Sequence, residues 1–192
     1  ISVLFNEQKR FREAIEYSDK AESKAIAIND TIERLSAHAN KGAILMRQGN
    51  YRKSVNSLTS MWNMVKQANY NVLTLKYLSP LLKSYLQLGK ADSVAFYLTY
   101  ANEACRNLSP TSNGVLGILE IKADLLGQQK KYAEQWLLLD SIGRLAGTNL
   151  TMPKDKLLAT QARCLNNMGK YTQAYQAMQE AYLKSDSLKQ SD

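Results

Sequence analysis

The stretch NNMGKYTQAYQAMQEAY, residues 166–182, sets small side chains (Ala174, Ala177, Ala181) against rings (Tyr171, Tyr175, Tyr182) behind a Gly-Lys-Tyr breaker. Bulk and near-absence of bulk alternate on one helical stripe: Tyr171, Ala174, Tyr175, Met178, Ala181 and Tyr182 recur at steps of three and four, the period of an amphipathic helix. Small residues let two helices approach closely, and the rings are expected to fill the gap beside a neighbouring unit.

The same pattern has relatives elsewhere in the chain: QKRFREAIEYSDKA (8–21), RQGNYRKSVNSL (47–58), QLGKADSVAFYL (87–98) and QQKKYAEQWLLL (128–139). Aligned on Phe11, Tyr51, Ala91, Tyr132 and Tyr171, the units step by 40, 40, 41 and 39 residues. Each reads as helix, tight turn, helix. Gly49, Gly89 and Gly169 stand two residues before the ring position, where a helix C-terminus takes a left-handed residue that glycine supplies without a Cβ penalty. Lys9 and Lys130 hold that place in the other two units, so those turns are expected to be more open. A hairpin of two helices cannot bury both faces alone, and it stacks on the next one.

The spacing predicts helices over 8–28, 30–48, 51–68, 71–88, 92–106, 113–128, 132–146, 153–168 and 172–186. Pro80 falls inside one of them and predicts a kink or a break near Leu78-Ser79, with Ser79 as cap. NLSPTSNG (107–114) and AGTNLTMP (146–153) read as loops. ISVLF (1–5) reads as the tail of a helix whose start is cut away, and the chain as a fragment of a longer protein.

The second helices carry Ala14, Ser54, Val94 and Ala174 three residues after the ring position, with Gln135 departing; the first helices carry Gly42, Ala123 and Ala162 nine before it, with Leu82 departing. This pattern resembles the tetratricopeptide repeat (TPR), which has a small residue midway along its first helix, glycine and a ring at the turn, and alanines in its second helix. The resemblance covers nearly the whole chain, although its period exceeds the family's usual length of about 34 residues. It implies an all-α fold, a right-handed α-α superhelix of about five helical hairpins. It also implies a single array over residues 1–192, with units near 1–28, 30–69, 70–107, 112–147 and 152–187.

The resemblance implies binding of a protein or peptide on the concave face lined by the first helices. Projected onto this chain, that face holds Arg47, Lys76, Lys83, Gln87, Glu120, Asp124, Lys156, Arg163 and Asn167, beside Ser36, Ala39, Ala43, Leu86 and Gln128. Lys83 and Arg163 with Asn167 have the chemistry to hold a carboxylate by charge-assisted hydrogen bonds. Chaperone-binding members of the family clamp a C-terminal carboxylate where this chain has Ala39 and Ala43, which argues against that partner. A narrower resemblance lies in EAYLKSDSL (180–188) and the long period. Both are similar to the extracytoplasmic arrays of Bacteroidetes membrane-spanning regulators, which end in a histidine-kinase or helix-turn-helix output. It implies a sensory, periplasmic array on a membrane-anchored protein; the alternative is a free-standing cytoplasmic scaffold.

Composition narrows the remaining classes. The 192 residues are 45% hydrophobic, with three prolines and nine glycines, which excludes a disordered or collagen-like chain. No stretch approaches the roughly 20 apolar residues that cross a bilayer. The net charge of +8 raises nucleic acid as a partner. The cations are scattered, however, densest at Lys9-Arg10-Arg12 and Lys130-Lys131, and none is expected. Cys105 and Cys164 fall in different repeats without metal-ligand spacing and read as small apolar residues. His38, the single histidine, reads as a packing or surface residue. The pair Glu120 and Asp124, at i and i+4, reads as a solvated face. No phosphate loop, GxSxG or HExxH occurs, so neither catalysis nor a cofactor is expected. Both array ends are expected to expose apolar surface and to self-associate weakly.

Overall fold

The computed structural model describes residues 3, 10–146 and 152–189. Among these every regular element is a helix: α1 (Phe11–Ala27), α2 (Thr31–Arg47), α3 (Tyr51–Ser60), α4 (Trp62–Ala68), α5 (Asn71–Gln87), α6 (Ala91–Cys105), α7 (Asn113–Gln128), α8 (Tyr132–Ala146), α9 (Lys154–Asn167) and α10 (Tyr171–Lys189). They form two compact units, Ile1–Leu108 and Ser109–Asp192. The expectations for residues 1–5, apart from Val3 in helical conformation, for the Lys9 turn and for 147–151 lie outside the described residues.

One turn geometry recurs through both units. The Gly49 N–H donates to the Met46 carbonyl at 3.0 Å and the Asn50 N–H to the Leu45 carbonyl at 2.9 Å, the paired bonds of a Schellman cap. Asn29–Asp30, Gly89–Lys90, Lys130–Lys131 and Gly169–Lys170 repeat the pair. The first of each two residues is left-handed, with φ of 54° at Asn29, 77° at Gly49, 66° at Gly89, 58° at Lys130 and 75° at Gly169. The Lys130 turn is therefore as closed as the glycine turns, against expectation. Its two hydrogen bonds satisfy the helix-end carbonyls and hold a lysine in a conformation it adopts at a cost of about 1 kcal/mol. Asn69, also left-handed, ends α4.

Two helices depart from expectation, one in its extent and one in running unbroken through a proline. The predicted helix 51–68 breaks at Met61. Just before it, the Ser60 hydroxyl donates to the Ser57 carbonyl at 2.6 Å and Thr59 Oγ1 to the Val55 carbonyl at 2.9 Å, side-chain bonds that compete with the helical ladder. In contrast, α5 runs through Pro80 without a break, and Ser79 is not a cap. Tyr77, Leu78, Leu81 and Leu82 around it are fully buried, and this burial, at about 1.5–3 kcal/mol per large apolar side chain, outweighs the hydrogen bond that proline removes.

In the first unit α2 packs on α1, on α3 and on α5, and α3 and α6 also pack on α5. Gly42 of α2 makes the close approach: a Cβ there would lie 2.5 Å from Leu58 Cγ of α3. In the second unit α8 packs on α7 and α9, and α10 packs on α9. Its core gathers Ala123, Leu139, Ile142, Met152, Leu157 and Cys164.

Both units bury a polar bond at the same repeat position. Ser84 Oγ of α5 donates to Ser54 Oγ of α3 at 3.1 Å, and Ser54 Oγ donates to the Gly42 carbonyl at 2.9 Å. Cys164 Sγ of α9 donates to Gln135 Oε1 of α8 at 3.1 Å. Ser54 and Gln135 both stand three residues after the ring position, and Ser84 and Cys164 both stand seven before the next. Gln135, a departure from the small-residue rule, fits because Gly127 leaves space: a Cβ there would meet Gln135 Nε2 at 2.6 Å. Both cysteines are free thiols, and burial raises the Cys164 pKa.

Candidate interaction surface

Successive first helices place equivalent residues side by side. The position fifteen residues before the turn ring is Ser36 in α2 and Lys76 in α5, one 40-residue period apart, and Lys76 Nζ donates to Ser36 Oγ at 2.8 Å. Lys76 is exposed overall, but desolvation around its ammonium lowers its pKa, while the Glu33 carboxylate raises it. Arg47 and Gln87 are exposed on the same two helices, and Lys83 is half-buried. Ala39 and Leu86, also projected onto this face, are buried.

In the second unit Lys156, Arg163 and Asn167 are exposed on α9. Lys156 repeats the position of Lys76. The Arg163 guanidinium donates to Thr160 Oγ1 at 3.0 Å and lines a cleft with Asn166, Tyr171 and Tyr175. On α7 Asp124 is exposed, but Glu120 is only 7% exposed, and both interact within the fold. They are therefore not an open carboxylate pair on one solvated face. Lys83 belongs to the first unit and Arg163 and Asn167 to the second.

Sequence reasoning missed a polar joint around His38. Its Nδ1 lies 3.4 Å from Glu22 Oε1 of α1, and its Nε2 lies 3.1 Å from both the hydroxyl and the carbonyl oxygen of Ser57 on α3. Its ring stacks on Tyr77 of α5, with centroids 6.3 Å apart. Serine, histidine and carboxylate stand in the order of a hydrolase triad. Ser57 sits within α3, where neighbouring N–H groups are engaged in the helix rather than aimed at an oxyanion, and its own carbonyl shares the imidazole nitrogen. The joint ties four helices together. A signal did exist: Glu22 and His38 stand eight residues either side of position 30, and Asp19 and Lys41, an ion pair at 2.7 Å, stand eleven either side.

The stripe of 171–182 divides into two faces. Ala174 and Ala181 are buried, as the close-approach reading requires, but Tyr171, Tyr175, Met178 and Tyr182 are exposed. No described element covers that side of α10. Among the described residues no helix is long and apolar enough to cross a membrane, and no group of three metal-ligating side chains occurs.

No protein-family model matches the chain, and no curated protein matches it. Solved structures are similar, among them two of one protein. Both are crystal structures of the nearly identical TPR-like repeats of a Podosopora anserina kinesin-light-chain-like protein, one of them of a substituted variant. The variant aligns over 98% of this chain and 93% of its own at a TM-score of 0.71, and the other over 97% and 92% at 0.69, each at 13% identity. The fold is thus TPR-like.

Proposed function

We propose that this chain is a non-catalytic protein-interaction module that binds a peptide or protein segment on its first-helix face. The observation that carries this reading is the row of exposed polar side chains at repeat-equivalent positions: Arg47, Lys76 and Gln87 in one unit, Lys156, Arg163 and Asn167 in the other. Helical repeats use such surfaces to bind extended partners. Lys76, Lys83, Lys156 and Arg163 favour an acidic segment through charge-assisted hydrogen bonds. The hairpins form one array, and its role in the parent is sensory, as the periplasmic part of a membrane-anchored regulator. The long period and the EAYLKSDSL ending support this role.

Peptide display against the chain tests the binding reading. Acidic peptides are expected to be enriched, and the charge reversals Lys76→Glu with Lys83→Glu are expected to abolish the enrichment. Selection indifferent to these reversals overturns it. The reading frame beyond Asp192 tests the sensory role: an apolar run of about 20 residues followed by an output domain supports it, and a stop codon overturns it.

A further inference from the structure

The two turn edges of the first unit differ in charge. The Lys76–Ser36 bond sets α5 beside α2 in register, so the Gly49 and Gly89 turns share one edge and the Asn29 and Asn69 turns the opposite one. Residues 47–53 and 87–93, around the first two turns, hold Arg47, Arg52, Lys53 and Lys90 against one carboxylate, Asp92. Residues 27–33 and 67–73, at the matching places on the opposite edge, hold Asp30 and Glu33 and no cation. The Glu22–His38 and Asp19–Lys41 contacts, each at equal distances from the 29–30 turn, set α1 antiparallel to α2. The start of α1 therefore adds Arg10 and Arg12 to the basic edge, paired with Glu13 and Glu16. Glu7 and Lys9, outside the described residues, carry opposite charges.

Arg47, Arg52, Lys53 and Lys90 are exposed, and none of them has an ion pair among the described residues. Three of them stand where the helix dipole opposes them. Arg52 and Lys53 fall in the first turn of α3, which has no acidic residue and no side-chain cap, and Lys90 is the N-cap of α6. A helix start favours anions, so these cations weaken the helices they begin, and stability does not account for them. They come from both helix layers, Arg47 from α2 and the others from the starts of α3 and α6, and so form a patch at helix ends. We propose that this edge rests on an anionic lipid bilayer, its cations meeting the headgroup phosphates. Each lysine or arginine near such a surface is attracted to it without a groove or a fixed register. The one ring in the two stretches, Tyr51, is half-buried, which leaves them no open platform for stacking bases. Arg52, Lys53 and Lys90 are not among the residues assigned to the peptide face, so loss of one contact leaves the other.

The test sediments the whole chain with vesicles in about 0.1 M salt. One set is phosphatidylcholine and the other phosphatidylcholine and phosphatidylglycerol in equal parts. The chain is expected to bind the mixed vesicles and not the neutral ones, and Arg52→Glu with Lys53→Glu is expected to weaken binding at least about tenfold. Lys24→Glu with Lys66→Glu makes the same change in net charge away from the basic edge, at exposed positions, and should bind nearly as the parent does. Circular dichroism checks that the variants fold. Arg52→Gln with Lys53→Gln, which adds no new charge, should weaken binding in the same direction. Absence of vesicle binding, equal binding to both vesicles, or equal weakening by the two glutamate pairs overturns the proposal. So does binding of a duplex oligonucleotide in preference to the mixed vesicles, which would assign the edge to nucleic acid.

Discussion

The hydroxyl of Ser84 donates a hydrogen bond to the hydroxyl of Ser54 at 3.1 Å, inside the buried joint between α5 and α3. Ser54 in turn donates to the Gly42 carbonyl of α2, so three helices share one chain of donors. Ser54→Ala leaves the buried Ser84 hydroxyl without this acceptor and is expected to destabilise by about 1–3 kcal/mol. Adding Ser84→Ala removes the orphan, so the double variant should lose less than the two single losses together. Denaturant melts of the four proteins give the coupling energy.

Gly42→Ala places a methyl 2.5 Å from Leu58 Cγ. It is expected to cost about 1–3 kcal/mol, visible as a lowered Tm by circular dichroism. Leu58→Ala in the same chain should remove part of the clash, so the two losses should not add.

Tyr77 is fully buried, and its hydroxyl has no hydrogen-bond partner among the described residues. Burial, and secondarily the Glu22 charge, raises its pKa. The unfolded chain ionises tyrosine near pH 10 while folded Tyr77 keeps its proton, so its contribution is present below that pH and stability falls as pH rises above it. Tyr77→Phe removes an unsatisfied buried group. It is expected to be neutral or stabilising by about 1 kcal/mol at pH 7, and to flatten the alkaline loss in urea melts run from pH 8 to 11.

Lys130 holds φ of 58° in a turn that glycine makes elsewhere. Lys130→Gly is expected to stabilise by roughly 0.5–1 kcal/mol, read as a raised Tm, whereas Lys130→Ala keeps the strained geometry and should change little.

Ser57 has histidine and carboxylate neighbours, but it sits within α3, where the adjoining N–H groups serve the helix. A fluorophosphonate probe, which labels activated serines, is expected to leave it unlabelled at neutral pH. Mass spectrometry of the treated chain checks this; an adduct on Ser57 would make the joint a catalytic site.

The hairpins were legible because helical period and turn chemistry act locally. The left-handed sites at residues 49, 89 and 169 favour glycine's freedom, and glycine is visible in sequence. Lys130 obscured one such turn because hydrogen bonding there outweighs propensity. Pro80 misled as a break for a related reason: its ring is a local signal, while the packing that keeps α5 continuous through it comes from Leu78, Leu81 and Leu82. The candidate surface was legible as a set of positions but not as exposure. Ala39, Leu86 and Glu120 were projected outward and lie inside. The His38 joint was hidden because it depends on pairing across antiparallel helices, which follows distance from a turn rather than the 40-residue period.

The most direct measurement of the central claim is site-specific photocrosslinking with a peptide selected by display. Benzoylphenylalanine is placed at position 76 or 156 on the first helices, and at Lys53 on α3 as the comparison. Peptide adducts at 76 or 156 and none at 53 are the predicted result. Adducts confined to position 53 would contradict the assignment of the first helices as the binding face.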